Sequence, residues 1–207
     1  MSARTTVVLA TRNRHKLEEM HRILVEAGID VDLVTVADFP AVPDVAETGA
    51  TFNENALLKA RAVAGATGLP TVADDSGLCV DALNGMPGVL SARWSGHERD
   101  DRANLELVLA QLADVPDERR TASFVCAAAL ATPDDTVQHV VVGRVDGHIV
   151  REPRGTGGFG YDPIFESVDR PGRTTAELSP GEKDGISHRG RALRALAPYL
   201  RDLVVPD

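Results

Sequence analysis

Lysine is scarce in this chain, cysteine scarcer, and a long apolar run is missing altogether. No hydrophobic stretch approaches the ~20 residues that span a bilayer. The N-terminal MSARTTVVLATRN meets charge too soon to be a secretory signal. These absences predict a cytoplasmic protein with no membrane partner. Cys79 and Cys126 lie in apolar segments without CxxC spacing, so they read as buried, reduced thiols. No His/Cys cluster has zinc spacing, and nothing suggests a Ser-His-Asp triad. Positive charge is also short: a net charge of −9 and a pI near 5.1 exclude the basic footprint that a nucleic-acid polymer needs. A small anion in a locally basic pocket remains compatible. With no repeat, low-complexity tract or clear linker, the 207 residues fit one domain, 1–207.

What is present is unevenly distributed. Among 22 Lys and Arg residues the lysines are Lys16, Lys59 and Lys183 alone. A compact ammonium chosen as a point charge on phosphate is one explanation, and chance in an arginine-biased chain is the other. Thr5 to Ala10 has the β-branched content of a buried strand. A helix follows with Leu17, Met20, Leu24 and Ala27 on one face, closed by Gly28. Val31 to Val36 predicts a second strand, and a Pro-containing loop follows it. Thr51 and Glu54 have capping-box spacing and open a helix through Leu57, Ala60 and Ala64 to Gly68. Pro70 to Ala73 predicts a third strand that ends at Asp74 and Asp75.

Further on, NGMPG at Asn84 to Gly88 is a turn, and Arg102 to Ala113 is a helix with Leu105, Leu109 and Leu112 inward. Ala122 to Ala131 and Gln138 to Val145 are strands around the Pro133-Asp134-Asp135 turn, with a separate short strand at Gly147 to Arg151. Ser179, Pro180 and Glu182 carry the signals of a helix start. The last helix bears Leu193, Leu196, Leu200 and Leu203, with Pro198 as a kink point. A β-α-β-α-β start followed by a meander predicts an α/β fold with a mixed sheet.

Gly155 to Gly160 formally matches GxGxxG, but Tyr161-Asp162-Pro163 follows at once, and Pro163 disfavours a helix there. This is not a dinucleotide fingerprint; it reads as a glycine loop presenting Phe159 and Asp162. A P-loop motif is lacking. Thr11 to Lys16 (TRNRHK) lies where a strand turns into a helix, so free N–H groups, a hydroxyl and a lysine suit phosphate; an ordinary N-cap by Thr11 or Asn13 is the plainer reading. The remaining acids of interest are Glu47, Asp74 and Asp75. Hard oxygen ligands suit Mg²⁺, which takes only one or two protein carboxylates. In a regular strand Asp74 and Asp75 point to opposite faces. Only one could then be a direct ligand unless the chain turns at Asp75, and Ser76-Gly77 is good turn chemistry.

Six segments together resemble the inosine/xanthosine triphosphate pyrophosphatase family. They are TxNxxK at Thr11 to Lys16, ETGxTFxENAxxKA at Glu47 to Ala60, ADDSGLxVDAL at Ala73 to Leu83, PGxxSARxSG at Pro87 to Gly96, GTGGFGYDPIF at Gly155 to Phe165, and AELxxxEKxxISHRGxAL at Ala176 to Leu193. All three lysines fall inside them. The resemblance implies a two-lobed α/β fold with an elongated mixed sheet flanked by helices and an active site in the cleft between lobes. It implies a homodimer and Mg²⁺-dependent cleavage of ITP, dITP and XTP to the monophosphate and pyrophosphate.

Carried over, Thr11, Arg12, Asn13, Arg14, His15 and Lys16 would bind the triphosphate with Lys59 close by. Glu47 and Asp75 would hold Mg²⁺, and Asp75 would be the general base assisted by Asp74. Ser76 would touch substrate. Phe159, Gly160, Tyr161, Asp162, Lys183, His188 and Arg189 would form the nucleoside pocket, with Phe159 stacked on the base and donors such as Arg189 selecting a 6-oxo purine. The family commonly has Thr-Gly-Asn where this chain has Thr11-Arg12-Asn13, so either the loop differs or Arg12 adds charge to the phosphate site. Two other readings stand beside this one: a pyrophosphatase for pyrimidine or other modified nucleotides, and a non-catalytic nucleotide-binding module.

Overall fold

The β-branched run at the start of the chain forms β1, Thr6–Leu9, with Val7, Val8 and Leu9 buried. The computed structural model describes residues 5–29, 31–96 and 100–204. After β1 come α1 (Arg14–Glu26), β2 (Asp32–Thr35), α2 (Phe52–Thr67), β3 (Thr71–Val80), β4 (Met86–Pro87) and α3 (Asp101–Gln111). Next are β5 (Thr121–Ala131), β6 (Gln138–Ile149), β7 (Phe165–Ser167), α4 (Pro180–Ile186) and α5 (His188–Val204). The strands make a mixed sheet in the order β2-β1-β3-β5-β6-β7, with β4 paired to β3 off that path. β1 runs parallel to β2 and to β3, while the β3–β4 and β6–β7 pairs are antiparallel.

Local signals set most helix ends. Asn13 caps α1 by accepting from the His15 and Lys16 amides. The Thr51/Glu54 capping box opens α2 as its spacing predicts, and Gly68 closes it in a left-handed conformation (φ 70°). Ser179 and Glu182 form the same box on α4. α3 begins at Asp101, capped by Asp100, and buries Leu105, Val108 and Leu112.

Two compact units can be distinguished. One takes in the chain up to Asp75, Cys126–Gly143 and the C-terminal helix from Arg189. Here α1 and α5 bury Met20, Ile23, Leu24, Leu193, Leu196 and Leu200 against Val7, Leu9, Val72, Ala128 and Leu130. Each of these side chains larger than alanine is worth ~1.5–3 kcal/mol of apolar burial. α2 is attached differently. Its Ala56, Ala60 and Ala64, four residues apart on one helix face, meet Ala73, Ala127, Ala129 and Ala131 in a layer whose fully buried members are all alanine. The other unit comprises Ser76–Val125 and Arg144–His188, and its core gathers Leu78, Val80, Leu105, Val108, Phe124, Ile149, Ile164 and Phe165.

Two sequence expectations are corrected, for one reason. β3 does not stop at the aspartates: it is a ten-residue strand through Asp74, Asp75, Ser76 and Gly77, with no turn at Ser76-Gly77. The segment at Gly147 is not a separate strand either, since β6 continues through it to Ile149. Both glycines permit close approach within an extended chain instead of breaking it. A Cβ on Gly77 would lie 2.3 Å from Ser91 Oγ, and one on Gly147 would lie 2.2 Å from the Glu166 carbonyl oxygen.

Candidate active site

Because β3 is regular at Asp74 and Asp75, consecutive carboxylates project to opposite faces of the sheet. Asp74 lies on the α1/α5 side. Its Oδ2 accepts from Lys16 Nζ at 3.0 Å and from Arg189 Nε and Nη2 at 3.2 Å each. Arg189 Nη1 in turn donates to Glu19 Oε2 at 2.5 Å. Burial alone would raise the pKa of Asp74. The fields of Lys16, Arg189 and Lys59 overcome it and hold the carboxyl far below the usual carboxylate range. Cys126 Sγ lies 3.9 Å from the same oxygen, and burial, reinforced by Asp74, pushes its thiol up to about 12.

Asp75 faces α2. Asn55 Nδ2 donates to its Oδ2 at 3.0 Å, while Asn55 Oδ1 accepts from the Gly49 amide at 2.7 Å. One buried amide therefore orients the carboxylate and ties down the loop that carries Glu47. Lys59 Nζ lies 2.7 Å from Glu47 Oε1 and 3.6 Å from Asp75 Oδ1. The pKa of Asp75 is raised, chiefly by burial, with Lys59 opposing and Glu47 adding to the rise. Lys59 moves upward as well: burial favours the neutral amine, but the fields of Asp74, Asp75 and Glu47 prevail.

Glu47 and Asp75 thus converge on one cation. That donor set fits Mg²⁺, which takes one or two carboxylates and fills its shell with water and phosphate oxygens. Among the described residues no group of three or more His, Cys, Asp or Glu side chains forms a fuller metal cage.

The Thr11–Lys16 segment is partly committed to itself. Asn13 Oδ1 takes up the His15 and Lys16 amides at 3.0 and 3.2 Å, and the Asn13 amide donates to Thr11 Oγ1 at 3.2 Å. Arg14 pairs with Glu18 along the exposed face of α1. Arg12, left open by sequence, donates from Nε to Asp44 Oδ1 at 2.8 Å and from Nη2 to the Val42 carbonyl at 2.7 Å. It clamps two loops together.

In the other unit Asp162 is the hub. Its buried carboxylate accepts from Lys183 Nζ at 2.6 Å, Thr175 Oγ1 at 2.7 Å and the Phe159 amide at 2.8 Å. Gly158 is required there, since a Cβ on it would lie 2.1 Å from Asp162 Oδ2. Lys183 Nζ sits 5.0 Å from the centroid of the half-buried Phe159 ring. His188 stacks on Phe124 with centroids 4.8 Å apart, and Ser76 is half-buried on β3.

Two residues expected in the nucleoside pocket have their polar groups bonded to neighbouring protein groups. Tyr161 is buried in the core with its hydroxyl donating to the Ser91 carbonyl at 2.8 Å. Its neighbour Gly160 donates its amide to Asp101 Oδ2 at 2.8 Å. Arg189, only 1% exposed, has its guanidinium on Asp74 and Glu19.

Sequence reasoning missed Glu19, Asn55 and Thr175. Glu19 and Asn55 had a signal: Glu19 is three residues after Lys16, and Asn55 four before Lys59, which puts each on its lysine's helix face. Thr175 has no comparable spacing to Asp162.

Fold and geometry together define a mixed-sheet α/β protein with buried acid–lysine groups in each of its two units. The model of the Ham1 family matches residues 7–199, and the chain belongs to that family. It is 60% identical over 198 residues to a dITP/XTP pyrophosphatase of Mycolicibacterium paratuberculosis, covering 95% of this chain and 96% of that one. A dITP/XTP pyrophosphatase of Streptomyces coelicolor is 58% identical over 200 residues, covering 97% and 99%. Among solved structures, a HAM1 protein from Coxiella burnetii superposes with a TM-score of 0.84 at 45% identity, covering 96% of this chain and 99% of that one. A nucleoside-triphosphatase / dITP/XTP pyrophosphatase from Mycobacterium abscessus gives 0.74 at 58% identity, covering 94% and 100%.

Proposed function

We propose that this chain is a nucleoside triphosphate pyrophosphohydrolase that converts dITP, ITP and XTP to the nucleoside monophosphate and pyrophosphate. The observation that carries the reading is the group around Asp75: a buried carboxylate of raised pKa, oriented by Asn55 and faced by Lys59 and Glu47. Its relatives' names support the same activity.

In this reading Asp75 takes a proton from a water that attacks the α-phosphorus, and the bond from that phosphorus to the oxygen bridging to the β-phosphate breaks. A carboxylate with a raised pKa is the stronger base for that transfer. Lys16 and Lys59 offset the charge that collects on the leaving pyrophosphate. Glu47 and Asp75 are the residues that would hold Mg²⁺, which when bound supplies further neutralisation of phosphate charge. Phe159 stacks on the base, with Lys183 and His188 beside it. A Lys183 ammonium held by Asp162 is a donor, so it can donate to a 6-oxo oxygen but finds no acceptor in a 6-amino group. A mismatch of this kind in a buried site can discriminate by ~10⁴.

We also propose a homodimer working in the cytoplasm. Among the described residues no helix is long and apolar enough to cross a membrane, and both cysteines are free thiols, as suits a reducing compartment. The experiment that tests the function is a nucleotide panel with Mg²⁺, assayed separately for pyrophosphate and for phosphate. Pyrophosphate from dITP, ITP and XTP supports it; phosphate alone, a preference for pyrimidines, or no product rejects it.

A further inference from the structure

We infer that Thr175 is a positioning residue for base selection: its hydroxyl fixes Asp162 and, through that carboxylate, sets the Lys183 ammonium beside the Phe159 ring. The inference rests on the pyrophosphohydrolase reading and adds a residue which that reading does not use. Thr175 Oγ1 donates to Asp162 Oδ1 at 2.7 Å, while Lys183 Nζ and the Phe159 amide both donate to Oδ2, at 2.6 and 2.8 Å. The two carboxylate oxygens are thus divided, one for the hydroxyl and one for the ammonium and the loop. Thr175, Asp162 and Lys183 are 6%, 3% and 9% exposed. Thr175 also belongs to a brace, because residues 174–176 grip the loop that carries Phe159 at three points. Thr174 Oγ1 donates to the Arg154 carbonyl at 2.8 Å, Thr175 holds Asp162, and the Ala176 carbonyl accepts from the Gly157 amide at 2.9 Å. The fit is close: a Cβ on Gly155 would lie 2.5 Å from the Ala176 carbonyl carbon.

Charge balance does not call for the hydroxyl, since Lys183 already neutralises Asp162. Anchoring the segment does not call for it either, because Thr174 and Ala176 hold it from both sides. What the hydroxyl supplies is asymmetry. A carboxylate offers two equivalent oxygens, and a lysine ammonium on its flexible stem can settle on either. With Oδ1 taken by Thr175, the ammonium and the Phe159 amide converge on Oδ2, and Lys183 Nζ stays 5.0 Å from the centroid of the ring. Telling a 6-oxo from a 6-amino purine requires a donor held where that substituent lies. A donor free to swing between two oxygens gives up part of the distinction. Lys183 is thereby set in place before the base arrives, and the phosphate chemistry is left alone.

The test is a pair of conservative substitutions in the full-length protein with Mg²⁺. Thr175→Val keeps the shape and removes the hydroxyl. It is expected to lower kcat/KM for dITP about tenfold, the size of one hydrogen bond to a charged group, with dATP unchanged, so that the dITP:dATP preference falls by the same factor. Thr175→Ser keeps the hydroxyl and should retain the wild-type preference. Inhibition by inorganic tripolyphosphate, which has phosphates but no base, should be the same in both variants as in wild type. In a Lys183→Met background Thr175→Val should lower kcat/KM for dITP by less than about twofold further, because the group it positions is gone. If Thr175→Val does not fold, Thr175→Ala takes its place with the same readouts. An unchanged preference without the hydroxyl, a preference that serine does not retain, weakened tripolyphosphate inhibition, or multiplying losses in the Lys183→Met background would each overturn the inference. A wild-type protein that releases no pyrophosphate from dITP, or that turns over dATP equally well, would instead reject the parent reading.

Discussion

Asp74 and Asp75 are adjacent in one strand, equally short and both buried, yet their surroundings shift their acidities in opposite directions. On the α1/α5 face, Lys16 and Arg189 overwhelm the burial penalty and lock Asp74 as an anion. On the α2 face, a neutral amide, a more distant lysine and a nearby glutamate leave burial dominant, and Asp75 is raised. The residue type is identical, so the difference lies entirely in what each helix layer brings to the strand. In the proposed mechanism the carboxylate fixed by cations is the support, and the one of raised pKa is the base. Asp162 in the other unit accepts hydrogen bonds from Lys183, Thr175 and a backbone amide.

Substitution can break this comparison. The largest expected effect is from Asp74→Asn, which strands Arg189 beside Glu19 and releases Lys16. Removing one partner of a buried ionic group costs ~3–5 kcal/mol, to be read from urea unfolding. Asp75→Asn should leave that unfolding curve within about 1 kcal/mol of wild type, since it removes a carboxylate that burial already disfavours. It should instead reduce kcat on the order of 10²-fold or more. Exchanged outcomes, with Asp74→Asn stable and inactive and Asp75→Asn unstable and active, would invert the assignment of support and base.

A smaller effect tests the α2 face from behind. Ala60→Val overfills the alanine layer next to Lys59, and overpacking of this kind costs ~1–3 kcal/mol. A fall in kcat alongside the loss of stability would sharpen the link between that layer and the Glu47–Lys59–Asp75 group; unchanged kcat would sever it. The smallest effect belongs to Arg12→Gly. The pair with Asp44 is exposed, at 41% and 88% for the two side chains, and such pairs contribute under ~1 kcal/mol. Its loss should lower the melting temperature slightly and leave turnover near wild type. A large loss of turnover would return Arg12 to the phosphate site.

How much of this was legible beforehand depended on the range of the interaction. The capping boxes at Thr51 and Ser179 were readable because a cap is satisfied within three residues. The mixed sheet followed from the order of strand and helix patterns. Family motifs pointed to the lysines and acids, and the structure pairs each lysine with an acid named among them. What failed was long-range. Gly77 and Gly147 look like chain breakers in isolation, and only Ser91 and Glu166, which crowd them, explain why the strands run on. Arg189 was named through the family motif that ends at Leu193, and nothing in it pointed to Glu19, which it bonds from 170 positions away, a distance no spacing rule covers.

The alanine layer beneath α2 has a consequence for how the site can change over time. A wall of leucines can repack, trading one shape for another while the backbone stays put. A wall of methyl groups has nothing to trade: its thickness is nearly that of the two backbones, and every enlargement moves the helix. Lys59 and Asn55 ride on that helix, so their distance from Asp75 is gauged by the smallest side chains in the protein. The layer behaves as a shim. Sequence drift on the α1/α5 side can be absorbed by repacking, while drift at Ala56, Ala60 or Ala64 is passed directly into the spacing of an acid and a lysine.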